Sequence, residues 1–245
     1  EAGYATGITG KWHLGKPAPH QPNRRGFDAF YGFLGGAHPY FKPGAETNAL
    51  MRNDRPAAYE GEYLTDAITR EPLAFVDRHK ARPFFLYVAY NAPHSPMEAP
   101  QAYLNRFPDE PDPKRRAMLA MLSALDDGVG ALLDKLRETG LEDNTLVVFL
   151  SDNGAPTAGN ASVNTPLRGV KGEVYDGGIR VPFMLQWKHR IPAGRVIDHP
   201  VISLDLFPTA LAAAGVRPPP TPTLDGVNLL PWLEGRSDDR PHDTL

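Results

Sequence analysis

Cysteine is absent from the 245-residue sequence, which removes disulfides, zinc–thiolate centres and a cysteine nucleophile from the chemistry these residues can supply. The absence says little about compartment, because many exported bacterial proteins also lack disulfides. No run of about 18 apolar residues occurs, so no membrane span is expected. Charge of one sign does not dominate either: Lys and Arg number 26, Asp and Glu 29, and the formal net charge is -3 with both signs interspersed. That balance offers no basic surface to nucleic acid and no polybasic patch to a membrane. Repeats and low-complexity tracts are missing too. The sequence opens at Glu1 inside a patterned segment, so any signal peptide is expected upstream of it.

What is present suits a globular α/β protein. Apolar residues make up 41% of the chain, enough for one large domain or two small ones. The 26 prolines and 23 glycines are scattered, as in a fold with many loops. Three short apolar runs, Phe84 to Tyr90, Thr145 to Leu150 and Val181 to Trp187, predict buried strands. From Arg115 to Thr139 the spacing of Met118, Met121, Leu122, Leu125, Val129, Leu132, Leu133 and Leu136 predicts a long amphipathic helix ending at Gly140. Helix alternating with strand favours a largely parallel sheet covered on both faces, whose ligands bind beyond the carboxyl ends of the strands. From Val216 the chain becomes Pro-rich and reads as a connection.

The loops after the predicted strands hold the residues that could carry chemistry. Thr145 to Leu150 runs into Ser151-Asp152-Asn153-Gly154, an acid and an amide oxygen side by side. A hard cation takes such ligands, although an Asx-turn closing the strand is the plainer explanation of the pair taken alone. Lys11 and His13 in Gly10-Lys11-Trp12-His13-Leu14-Gly15 would share a face of an extended segment; a surface lysine beside a packed histidine is the plainer alternative. His94 sits between prolines in Ala92-Pro93-His94-Ser95-Pro96, held out from a strand end, as structural loop histidines also are. Lys171 lies in the glycine-rich Leu167-Arg168-Gly169-Val170-Lys171-Gly172, where a lysine could press on an anion or stay exposed. Two lysines, two histidines and an Asp-Asn pair together would make a cationic pocket for a tetrahedral oxyanion. Asp126 and Asp127 read as solvated or locally bonded helix residues, Arg180 as an ion-pair partner, and Asp205 as a helix cap before Leu206.

Gly3-Tyr4-Ala5-Thr6 through Gly10-Lys11-Trp12-His13-Leu14-Gly15 resembles the second signature of the sulfatase family. The resemblance continues in order through Arg25-Gly26-Phe27-Asp28, Gly35-Gly36-Ala37-His38, Ala92-Pro93-His94, Ser151-Asp152-Asn153-Gly154, Leu167-Arg168-Gly169 to Lys171-Gly172, and Gly177-Gly178-Ile179-Arg180-Val181-Pro182. It covers nearly the whole chain. It implies an alkaline-phosphatase-like α/β sandwich, with a mainly parallel or mixed sheet and helices on both faces. Residues 1–215 would belong to the catalytic α/β domain and 216–245 to a Pro-rich connection toward a C-terminal subdomain.

By that resemblance Lys11, Lys171 and His94 would bind the sulfate ester, with His94 helping the leaving alcohol depart. Asp152 and Asn153 would ligate one calcium ion, and His13 would act as base toward the nucleophile. The family's nucleophile is a formylglycine made from Cys or Ser in a C/S-x-P/A-x-R motif upstream of the Lys-His signature. Neither that motif nor the paired Asp residues of the family's metal shell precede Lys11, so the chain is expected to be a piece truncated at both ends and inactive alone. Asp176 departs mildly from the pattern, standing where Glu is more usual. The implied substrate is a sulfated carbohydrate or aryl sulfate, and the implied location is the periplasm or the outside of a bacterium. Two alternatives stay open: a phosphodiesterase or phosphonate monoester hydrolase of the same superfamily, and a non-catalytic protein that binds calcium or a sulfated glycan.

Overall fold

Parallel strands need crossovers to join them, and the helix Leu64–His79 is such a crossover. The computed structural model describes residues 2–42, 44–218 and 220–244. They form two compact units, one from Gly3–Thr139 with Ser151–Pro182, the other from Gly140–Leu150 with the chain from Phe183 onward.

The first unit contains strands β1 (Ala5–Lys11), β2 (Ala29–Phe33), β3 (Met51–Arg52), β4 (Arg55–Pro56) and β5 (Phe84–Ala89). They make one mixed sheet in the order β4-β3-β2-β1-β5. Strand β1 lies between β2 and β5 and runs parallel to both, while β3 and β4 add an antiparallel hairpin beyond β2. The helices are α1 (Leu64–His79), α2 (Gln101–Leu104), α3 (Pro113–Glu138) and the single turn α4 (Asp176–Ile179). Helix α3 starts where Asp112 accepts from the backbone N–H groups of Lys114 and Arg115 at 2.9 and 3.4 Å, with Pro113 in the first turn. It ends before Gly140, whose φ of +71° fits a left-handed helix stop. Met121 of α3, Leu64 and Ile68 of α1, Phe33 of β2, Tyr40 and Leu50, each at most 2% exposed, pack in one core cluster.

Helix α1 tolerates Pro72 in its interior. Proline has no N–H for the carbonyl four residues back, which is that of Ile68. The buried Thr9 hydroxyl of β1 donates to that oxygen at 3.3 Å, so the orphaned acceptor becomes a bond between helix and sheet.

A second link joins β3 to α1. Both terminal nitrogens of Arg52 bond the carboxylate of Glu71 at 2.7 Å, and Arg70 adds a bond at 3.0 Å. Burial alone would raise the Glu71 pKa, but the Arg52 hydrogen bonds and the Arg52 and Arg70 charges outweigh it and lower the pKa. A depressed carboxylate stabilises the fold fully above the ordinary glutamate value of 4.5, and that contribution disappears as pH falls through the lowered value. Urea unfolding between neutral pH and the acid range should therefore show an acid loss of stability that is smaller in Glu71→Gln. Equal acid loss in both proteins would contradict this role.

In the second unit β6 (Val147–Leu150) and β7 (Phe183–Gln186) pair antiparallel, Val147 opposite Gln186 and Leu150 opposite Phe183. The three strands anticipated from apolar runs all form, but none of their residues is buried as those runs suggested, and these two do not extend a parallel sheet as the alternation of elements suggested. The physical reason is the connection: Ser151–Pro182 holds only the four-residue α4 and no crossover helix long enough to return the chain to a parallel start. Helices α5 (Leu206–Ala213) and α6 (Leu230–Leu233) complete the unit around Trp187, Leu229, Leu230 and Leu233. Asp205 precedes α5, yet its carboxylate makes no cap to that helix. It is fully buried and accepts from the N–H groups of Ile202 at 2.9 Å and Val227 at 2.8 Å, while His242 Nε2 lies 2.9 Å from both its oxygens. The anticipated cap is instead a hub holding three separate segments.

Candidate active site

Lys11 is the last residue of β1, and the loops after β1, β2 and β5 leave the same end of the sheet because these strands are parallel. The residue before it explains how the strands come so close. Gly10 has φ of +97°, and a Cβ there would lie 1.9 Å from the Ala89 carbonyl oxygen, so only glycine fits. The Lys11 side chain is 17% exposed and its Nζ stands 3.9 Å from the Asp152 carboxylate, which is 70% exposed. Asn153 turns its Nδ2 to the Gly154 carbonyl at 2.9 Å, which leaves its Oδ1 as an acceptor with no hydrogen bond among the described residues.

The loop carrying Asp152 and Asn153 is bonded to the loop carrying Lys171. Gly154 N–H donates to Gly178 O at 2.9 Å, and Lys171 N–H donates to Ala155 O at 3.1 Å. A Cβ on Gly154 would lie 1.8 Å from Gly177 O, so the Asp-Asn-Gly and Gly-Gly motifs belong to one backbone contact. The amide of Asn164 bridges them, donating to Ala155 O and Gly169 O at 3.0 Å each. Sequence reasoning missed Asn164. A lone Asn in a loop has no spacing signal that separates a bridging amide from a solvated one.

The two histidines occupy neighbouring loops. Strand β1 ends at Lys11 and His13 has φ of +55°, so the two are not alternate residues of one extended segment as their spacing suggested. The left-handed backbone costs about 1 to 2 kcal/mol for a non-glycine residue, and such strain concentrates at functional sites. The imidazole lies against Gly36, where a Cβ would come within 2.7 Å of Cε1 and Nε2. His94 Nδ1 is 2.9 Å from the Ser95 carbonyl, which requires Nδ1 to carry a proton and leaves Nε2 as the nitrogen free to exchange one. The His94 carbonyl accepts from Tyr40 O–H at 2.9 Å, and the Asn91 amide donates to His38 O at 2.8 Å, so the loops after β2 and β5 are tied together.

Lys11 and Asp152 are thus the pair brought into direct contact, and Asn153 and Lys171 share their frame through backbone bonds. No hydrogen bond or ion pair among the described residues joins the side chains of His13, His94 or Lys171 to that pair. No set of three or more His, Asp or Glu side chains is gathered as a metal shell among the described residues. The Asp152 carboxylate and the free Asn153 carbonyl oxygen are hard donors of the type calcium takes, two toward a shell of about six to eight. Asp127 pairs with Arg106 at 2.7 Å rather than with this cluster. The Arg180 guanidinium lies 4.0 Å from the Asp176 carboxylate, a wide ion pair.

Residues 1–216 match the family model described as Sulfatase. The chain is 35% identical to an uncharacterized sulfatase, YdeN, of Escherichia coli strain K12, over 99% of this chain and 47% of that protein. It is 34% identical to the N-acetylgalactosamine-6-sulfatase of Homo sapiens, over 98% of this chain and 48% of that protein. The crystal structure of Ps i-CgsB in complex with k-i-k-neocarrahexaose superposes with a TM-score of 0.92 at 39% identity, covering 98% of this chain and 57% of that one. The chain belongs to the sulfatase family, with the alkaline-phosphatase-like α/β fold. It spans about half the length of the curated relatives it matches.

Proposed function

We propose that the natural protein in full hydrolyses sulfate esters and that these residues supply the sulfate-binding part of its site. The observation that carries this reading is the Lys11–Asp152 contact of 3.9 Å at the carboxyl end of β1 in a chain of the sulfatase family. Lys11 and Lys171 would neutralise the sulfuryl oxygens. Asp152 and Asn153 would hold a calcium ion, which as a Lewis acid polarises a bound oxygen. A formylglycine from outside these residues would supply the covalent chemistry of the family. His94, with Nδ1 fixed by Ser95, would give a proton from Nε2 to the departing alcohol, and His13 would remove one from a group bound beside Lys11.

The substrate class we favour is a sulfated carbohydrate. Support comes from the hexose-derivative sulfatases among the relatives and from the saccharide held by Ps i-CgsB. A sulfated polysaccharide too large to cross a membrane would place the enzyme in the periplasm or outside the cell. No described helix is long and apolar enough to cross a membrane. The rival chemistry is phosphoryl transfer from a diester or phosphonate in the same kind of pocket. Initial rates on an aryl sulfate and the matching aryl phosphate diester separate them: the sulfate ester should be turned over faster, and a clear preference for the diester would reverse the assignment.

A further inference from the structure

Beside the His94 loop lies an open cavity of about 430 Å³. Its volume falls in the range of about 300 to 1,000 Å³ typical of small-molecule sites. Tyr40 connects the two places. Its hydroxyl bonds the His94 carbonyl at 2.9 Å, and its backbone N–H bonds Glu98 Oε2 at 2.9 Å, so cavity and histidine are one tyrosine apart. The next residue, Phe41, lines the cavity and is 40% exposed. One side of its ring packs on Tyr63, with centroids 5.1 Å apart, and Tyr63 stacks in turn on the buried Tyr40. Phe41 is therefore a braced aromatic surface rather than a loose side chain.

The polar groups around it have spare capacity. Glu98 uses Oε2 on Tyr40, leaving Oε1 as an acceptor. Arg116 spends Nε on the Leu104 carbonyl at 3.0 Å, and among the described residues no carboxylate forms an ion pair with its two terminal nitrogens. An aromatic plane, a free carboxylate oxygen and an unpaired guanidinium fork suit one kind of ligand. A pyranose ring presents apolar C–H groups to the plane and hydroxyls to the carboxylate, and an anionic substituent answers the guanidinium.

Resting on the sulfatase reading above, we infer that this cavity is a subsite for the sugar unit next to the one being desulfated, and that it takes a unit carrying its own anionic group. Phe41 and Arg116 are then specificity-determining residues. They govern how well a sulfated oligosaccharide binds and leave a small aryl sulfate unaffected.

The test compares Phe41→Ala, Phe41→Trp and Arg116→Gln with the unmodified natural protein on a sulfated oligosaccharide and on an aryl sulfate. Phe41→Ala should lower kcat/KM for the oligosaccharide about 10-fold, mainly through KM. Phe41→Trp should keep most of the rate, and Arg116→Gln should narrow the preference for oligosaccharides sulfated on the adjoining unit. Turnover of the aryl sulfate should stay within about twofold in all three, which also reports an intact fold. Equal losses on both substrates, or no loss on the oligosaccharide, would overturn the subsite. If the unmodified protein turned over neither substrate, the sulfatase reading itself would fail. Calorimetric titration with the oligosaccharide would then decide the subsite separately, since equal affinity for the unmodified protein and Phe41→Ala would overturn it.

Discussion

Replacing Lys11 with Ala in the natural protein should lower kcat/KM for sulfate esters by about 100- to 1,000-fold, or roughly 2.7 to 4 kcal/mol in the barrier, the loss seen when one preorganised oxyanion donor is removed. The magnitude follows from position. Lys11 is 17% exposed, so its ammonium acts where water screens it less than at an open surface. Gly10 lets β1 approach β5 within backbone contact, fixing the Lys11 backbone and hence the origin of its side chain. Stability should change little, because Asp152 is 70% exposed and a pair 3.9 Å apart with one solvated partner contributes at most about 1 kcal/mol. Steady-state kinetics beside thermal unfolding separate the two effects. A rate within about threefold of the unmodified enzyme would remove Lys11 from the site.

The second large effect is on stability and lies in the other unit. Asp205→Ala should cost about 3 to 5 kcal/mol, because a fully buried carboxylate disappears while its partners remain. The N–H groups of Ile202 and Val227 and the Nε2 of His242 would lose their acceptor together, and each buried orphan costs about 1 to 3 kcal/mol. Asp205→Asn keeps one acceptor oxygen and should lose less. Hydrogen exchange over residues 201–244 reads the effect locally, with faster exchange in Asp205→Ala than in Asp205→Asn. Unchanged exchange in both would show that the carboxylate does not hold these segments.

How legible the molecule was depended on where the information lay. The apolar runs 84–90, 145–150 and 181–187 and the periodic stretch 115–139 are local signals, and each became an element close to its anticipated bounds. Strand β1 gives no such signal because it is cut by glycines, and tertiary contacts demand them: a Cβ on Gly7 would lie 2.7 Å from the Phe75 ring, and one on Gly10 would meet Ala89. Helix α1 is masked by Pro72, whose cost is offset by Thr9, 63 positions earlier in the chain, bonding the carbonyl that proline leaves unpaired. The antiparallel pairing of β6 and β7 is likewise a property of their connection, not of their composition.

The site shows the same division. Lys11, His13, His94, Asp152, Asn153 and Lys171 are each ambiguous alone, and their order along the chain is what makes them candidates for one site. The geometry adds what order cannot supply: the Lys11–Asp152 contact, the Gly154–Gly177 approach that fuses two motifs, and the bridging amide of Asn164. Asp205 went the other way. It reads as an ordinary cap beside Leu206, and its partners at 227 and 242 lie beyond the reach of any local pattern.

The measurement to make is release of inorganic sulfate from an aryl sulfate by the natural protein in full, before and after divalent cations are removed by a chelator and calcium is returned. Sulfate should appear at the outset, its release should fall to background on chelation, and calcium should restore it, because Asp152 and Asn153 offer hard oxygen donors beside Lys11. A protein that releases no sulfate with calcium present, yet cleaves the corresponding phosphate diester, would contradict the assignment of this site to sulfate esters.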